Sequence, residues 1–100
     1  MTTIYAMQRA NGDVFALDHH GRFRIPLFHN SRDAMTARLR NPDMLVFKPV
    51  ILDASFLLEL VPRGGGNDVE LWLVKDPLLS LKRGRVVEHE QLLLLVENRV

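Results

Sequence analysis

The chain has 100 residues, of which 47% are hydrophobic and 25% charged, and a formal net charge of +1. Such a composition predicts one folded domain over residues 1–100 and excludes a disordered tail, and the near-neutral charge removes any bulk attraction to nucleic acid or an anionic membrane. With no cysteine, disulfides and thiolate metal sites are excluded.

Residues 4–9 predict a first strand and 13–18 a second, with Asn11-Gly12 in the turn between them. Two turns compete. A tight turn sets Gln8 opposite Phe15. A type I turn with a bulge at Gly12 sets Met7 opposite Phe15, Tyr5 opposite Leu17 and Arg9 opposite Asp13. The second matches apolar with apolar and acid with base, so it is preferred. Asp18-His19-His20-Gly21 suits a second turn of the same kind, which puts Leu17 against Phe23 and Phe15 against Ile25. The meander then has a core face of Tyr5, Met7, Phe15, Leu17, Phe23, Ile25 and Leu27. Its mixed face carries Ala6, Val14, Ala16, Asp18, Arg22 and Arg24.

Pro26 belongs at an edge, a bulge or a strand end, because it has no ladder donor. Asn30 or Ser31 caps a helix that runs to about Arg40 with Asp33 in its first turn. Its expected stripe is Ala34, Met35, Arg38 and Leu39, and Asn41-Pro42 stops it. Residues 44–48 predict a fourth strand ended by Pro49. Asp53 caps a second helix over 54–61, facing inward with Phe56, Leu57, Leu60 and Val61. Pro62 and Gly64-Gly65-Gly66-Asn67 form a loop. Strand 69–75 holds Leu71, Trp72, Leu73 and Val74 in succession, the mark of a strand covered on both faces. Asp76-Pro77 opens either a short helix closed by Gly84 or a hairpin through Lys82-Arg83-Gly84. Val86-Val87 is short strand or coil. Residues 89–98 read as a final helix, with a strand over 92–95 as the rival.

The fold class expected is α+β: an antiparallel sheet of about five strands, three of them an N-terminal meander, with two to three helices packed on one side.

Few residues suggest chemistry. His19 and His20 with Asp18 and His29 hold zinc-ligand types, but adjacent turn residues point apart and no ligand recurs at helical spacing. His29 stands at a strand-to-helix junction, where free N–H groups attract anions, although Asn30 or Ser31 satisfies them locally. Ser31, Asp33 and His29 lack the Gly-x-Ser-x-Gly elbow of a hydrolase, and Ser55 reads as first-turn helix chemistry. Glu59, Glu88 and Glu90 have no carboxylate partner at a diagnostic spacing. The three glycines 64–66 lack the Gly-Lys-Ser/Thr end of a phosphate loop. The basic residues include Lys82, Arg83 and Arg85, and a solvated face accounts for them in a charge-balanced chain.

The segment Phe23-Arg24-Ile25-Pro26-Leu27-Phe28-x-x-Ser31-x-x-Ala34 resembles a strand-to-helix passage in small bacterial domains of unknown function. One group is the domain of the serine-sensitivity-enhancing protein family. Another is an uncharacterised family with tryptophan in place of the second phenylalanine. The resemblance covers roughly residues 13–61. It implies strands first and a later helix behind an acidic cap, the place Asp53 holds. Residues beyond 61 depart from it, and it carries over no catalytic residue.

These readings lead to a non-enzymatic protein-interaction, regulatory or accessory module of the bacterial cytoplasm, without cofactor, metal, nucleic acid or membrane. The start Met1-Thr2-Thr3-Ile4-Tyr5 lacks a signal-peptide pattern, and the apolar run 92–96 is too short to span a bilayer. A homodimer or a protein partner is expected, because a helix carrying Leu92-Leu93-Leu94-Leu95 is apolar around most of its girth. The alternative is a small ligand-binding domain or enzyme using a cleft near His29 and Arg24. The candidate surface is Arg22, Arg24, His29 and Arg32.

Overall fold

The computed structural model describes residues 3–60, 69–77 and 80–97. The expected loop at Pro62 and 64–67, the inward Val61, and Leu78 and Leu79 lie outside the described residues. The elements are β1 (Tyr5–Gln8), β2 (Leu17–His19), β3 (Arg22–Leu27), α1 (Ser31–Arg40), a 3-10 turn (Pro42–Met44), β4 (Lys48–Ile51), α2 (Ala54–Leu60), β5 (Val69–Val74), β6 (Gly84–Val86) and α3 (His89–Glu97). The class is α+β. The strands form two sheets, however: a four-stranded one in the order β2-β3-β5-β6, and the pair β1-β4.

The first turn takes the bulged form. Gly12 has φ +95° and its N–H donates to the Arg9 carbonyl at 2.9 Å, while Gln8 bridges Val14. The meander stops there. β1 leaves the second strand for β4, with Tyr5 level with Ile51, and meets β3 through reciprocal 2.9 Å bonds between Tyr5 and Phe28. The second turn overturns the expected bulge. His20 (φ +54°) and Gly21 (φ +80°) are both left-handed, as a two-residue type I′ loop requires. The closing pair is therefore His19 with Arg22, and Leu17 faces Arg24 in place of Phe23. A slip of one residue exchanges the two faces of a strand. Here the strand exchanged is β2: Leu17 now shares a face with Arg24, and Asp18 with Phe23. Phe23, expected in the core, keeps the face of buried Ile25 and Leu27 but stands at the uncovered start of β3 and is 59% exposed; Ala6, expected on the mixed face, is fully buried on β1, which pairs with β4.

β3 pairs with β5 in parallel, from Phe23–Val69 to Leu27–Leu73. The helices cover both faces, not one. Ile25, Leu27, Leu71 and Leu73 pack against Leu57 and Leu60 of α2 and Leu92 of α3. Phe28 and Val74 pack against Ala34 and Ala37 of α1, with Trp72 partly buried beside them. The four apolar residues in a row on β5 thus serve two cores. Pro26 sits next to the end of β3, beyond Arg24 where β2 pairing stops, so its missing donor breaks no ladder on that side.

Asn30 caps α1, its Oδ1 accepting from the Asp33 N–H at 2.8 Å. The buried stripe is Ala34 and Ala37; Met35 turns outward and Leu39 is 76% exposed. Small residues let the helix lie close to Phe28, and Arg38 turns to the Leu45 carbonyl with Nη2 at 2.6 Å. The fourth strand starts later than expected, because Met44 belongs to the 3-10 turn; Pro49 lies inside β4, which among the described residues pairs only with β1. Asp53 caps α2 through the Phe56 N–H at 2.8 Å. The short helix expected after Pro77 falls partly on Leu78 and Leu79, outside the described residues. β6 returns antiparallel to β5, but Gly84 is not in the turn: it lies in the strand opposite Val74, and the Lys75 N–H donates to the Arg83 carbonyl before it. Only glycine fits opposite Val74, since a Cβ would fall 2.3 Å from the Leu73 carbonyl oxygen and 2.8 Å from Trp72 Nε1. The final segment is a helix, with Leu92 buried and Leu94 62% exposed.

Candidate functional site

The four residues of the candidate surface are not brought together. β3 separates Arg22 from His29 by seven residues of extended chain, about 20 Å. Arg24 is occupied internally. Its Nε donates to Glu70 Oε1 at 2.6 Å, and its guanidinium carbon lies 3.7 Å from the Trp72 ring centre. Both charged side chains are nearly covered, at 13% and 12% exposure, and Arg22 Nη1 stands 3.6 Å from the second Glu70 oxygen. Trp72 in turn donates its Nε1–H to the Leu81 carbonyl at 3.0 Å. Register explains the clamp: Arg24 faces Glu70, and Pro26 faces Trp72, across the parallel pair on one sheet face. A buried pair satisfied this way positions β5 against β3. The sequence held no sign of it, because its members lie 46 residues apart.

Two of the open places among the described residues bear on function. The first is a cleft of about 400 Å³ lined by His29, Leu73, Lys75, Gly84 and Arg85. Leu27 is level with Leu73, so His29, two residues on, comes level with Lys75, and Arg85 faces Leu73 directly. Alternation puts His29, Lys75 and Arg85 on one face at the carboxyl ends of the parallel strands. No acidic residue lines this cleft among the described residues. Arg32 lies on the first turn of α1, exposed and outside it.

The second is a wide groove of about 730 Å³ along residues 13–18. Val14, Phe15, Ala16 and Leu17 line it, and the Phe15 ring meets Phe47 edge-on at 5.2 Å. Phe23 stands at its side. Asp13, Asp18, Asp43 and Arg9 complete the lining. Arg9 is held by Asp13 at 2.6 Å and lies 5.6 Å over Phe47. The hydrogen bond from Arg9 lowers the Asp13 pKa below its ordinary value, and one from Asn11 adds to this. This groove was not legible in the sequence: Phe23 shares its face of β3 with the buried Ile25 and Leu27, and only the tertiary packing leaves the start of that strand uncovered.

Among the described residues no three His, Asp or Glu side chains come together as a metal site, and no hydrogen bond joins Ser31, Asp33 and His29. None of the described helices is long and apolar enough to cross a membrane. The chain matches no protein-family model, no curated protein and no solved structure.

Proposed function

We infer that the protein is a non-enzymatic interaction module that binds another polypeptide, either a separate partner or a second copy of itself. The observation that supports this reading is the open groove beside Phe23: one aromatic side chain left in solvent and half-buried Val14, Ala16 and Leu17 next to it, with carboxylates around them. Aromatic residues in such positions are the usual anchors of protein contacts. Exposed Leu94 on α3 offers a smaller apolar spot for self-association. The test places a photo-crosslinking amino acid at Phe23, and at Glu59 on α2 as control, in the native cells. Adducts with one defined polypeptide at Phe23 and none at Glu59 are expected; equal or absent adducts overturn the reading. Light scattering at micromolar concentration separates the homodimer from a monomer that uses another partner.

A second reading, favoured by His29, Lys75 and Arg85 around the same cleft, is a site for a small anion. Arg24 plays no part in it, being held by Glu70. Pyrophosphate that binds the folded state raises the melting temperature by linkage. A rise seen in the native chain and lost in Lys75→Ala with Arg85→Ala supports the site, and no rise removes it.

A further inference from the structure

Within the groove, the backbone of residues 13–19 has a direction that the side chains do not reveal. The Phe15 N–H donates to the Met7 carbonyl at 2.8 Å, and the Asp13 carbonyl accepts from the Arg9 N–H at 3.0 Å. Residues 13 and 15 therefore turn their polar groups toward β1. The closing pair of a two-residue hairpin exchanges hydrogen bonds, and so does the pair two residues on. His19 with Arg22 and Leu17 with Arg24 hold those places, so residues 17 and 19 turn toward β3. Alternation then sends the N–H and C=O of Val14, Ala16 and Asp18 to the opposite side. Among the described residues Val14 and Ala16 make no backbone hydrogen bond there, and β2 ends its sheet. The result is one continuous free edge, shared by β2 and the segment that leads into it.

We propose that this edge takes up an extended peptide segment as an added strand, with an apolar centre and basic ends. The proposal rests on the interaction-module reading and names the chemistry of its partner. An exposed edge satisfies its backbone groups by strand addition, and the side chains on each side select the sequence. The apolar centre follows from what flanks Ala16: Phe15 and Phe47 toward one face, Val14 and Phe23 toward the other. The basic ends follow from the charge. Arg9 is engaged by Asp13, whereas Asp18 and Asp43 have no basic partner among the described residues. A second copy fits poorly here, because antiparallel self-pairing centred on Ala16 sets Asp18 level with Val14 and brings no lysine or arginine opposite it.

Amide hydrogen exchange, read residue by residue by NMR on the full chain, tests this. The probe is an acetylated peptide of valine-threonine-valine flanked by two lysines at each end. Its counterpart carries glutamates in place of the lysines. The lysine peptide is expected to slow exchange at Val14, Ala16 and Asp18, and to leave unchanged Phe15, which is already bonded to Met7. The glutamate peptide is expected to bind at least about tenfold more weakly. Ala16→Pro removes a donor the fold does not use and is expected to abolish the protection. Should that variant fail to fold, Asp43→Lys in a folded chain must narrow the difference between the two peptides. Equal binding of both peptides, or no protection by either, overturns the proposal. So does protection at these amides that grows with the protein's own concentration, which would put a second copy on the edge. Crosslinks at Phe23 without peptide protection would leave the interaction module standing and remove only the added strand.

Discussion

β3 has two sides, and they are built to different standards. Toward β5 it runs five residues in parallel register, with Ile25, Leu27, Leu71 and Leu73 buried and the Arg24–Glu70–Trp72 clamp behind them. Toward β2 it pairs over three residues, carries Phe23 in solvent, and ends in a left-handed turn. One side is closed by helices on both faces. The other leaves its neighbour's outer edge open. Stability concentrates where apolar area leaves water, so a seam of this kind holds the fold while the edge stays available for binding.

The contrast breaks most readily at the seam. Leu73→Ala is expected to cost about 2–5 kcal/mol, because it leaves a cavity between the sheet and the helices α2 and α3 packed on it; denaturant melts measure this, and a loss below about 1 kcal/mol would mean the seam is not the core. Next comes Arg24→Ala, at about 2–4 kcal/mol, since Glu70 keeps a nearly covered charge without its partner. The double variant with Glu70→Gln should recover part of that loss, and a purely additive pair of effects would contradict the clamp.

The turn that opens the edge comes third. Gly21→Val should cost about 1–2 kcal/mol through backbone strain alone, for the space around a Cβ at Gly21 is empty. Gly21→Asn should cost less, and equal denaturation midpoints would refute the left-handed assignment. Phe23→Ser is expected to shift stability by about 0.5 kcal/mol or less while removing groove binding; a large drop in melting temperature would place Phe23 in the core after all. The smallest effect is a pH dependence at the groove. Arg9 lowers the Asp13 pKa in the folded chain, so the unfolded chain binds its proton first as pH falls. The small contribution of Asp13 is thus full above the ordinary carboxylate range and lost as pH falls through the lowered value. Acid titration of Asp13→Asn should show a slightly flatter stability profile than the native chain.

Local chemistry was legible wherever its partners are close in sequence. The Asn30 and Asp53 caps, the end of α1 at Asn41-Pro42 and the Gly12 bulge each depend on residues within four positions of one another. Periodicity found the helices. On α1 it placed Ala34 inward but took Met35 and Leu39 over Ala37, because they look more hydrophobic, and the close approach to Phe28 favours the small residues. The candidate site was less legible. His29 does line a cleft, but Lys75 and Arg85 join it through strand register, and Arg24 leaves it for Glu70.

The sequence by itself determined the α+β class, the two helix caps, the two-sided burial of β5 and the positions of both N-terminal turns. Only the tertiary structure decided that β1 leaves the meander for β4, that β3 and β5 run in parallel, and that His20-Gly21 form a two-residue loop. The physical reason is common to all three. Strand pairing is chosen by contacts between distant residues, and one residue of slip costs little locally while exchanging every side chain between core and solvent. In this chain that one residue sets Leu17 level with Arg24 and leaves the edge at Val14, Ala16 and Asp18 free.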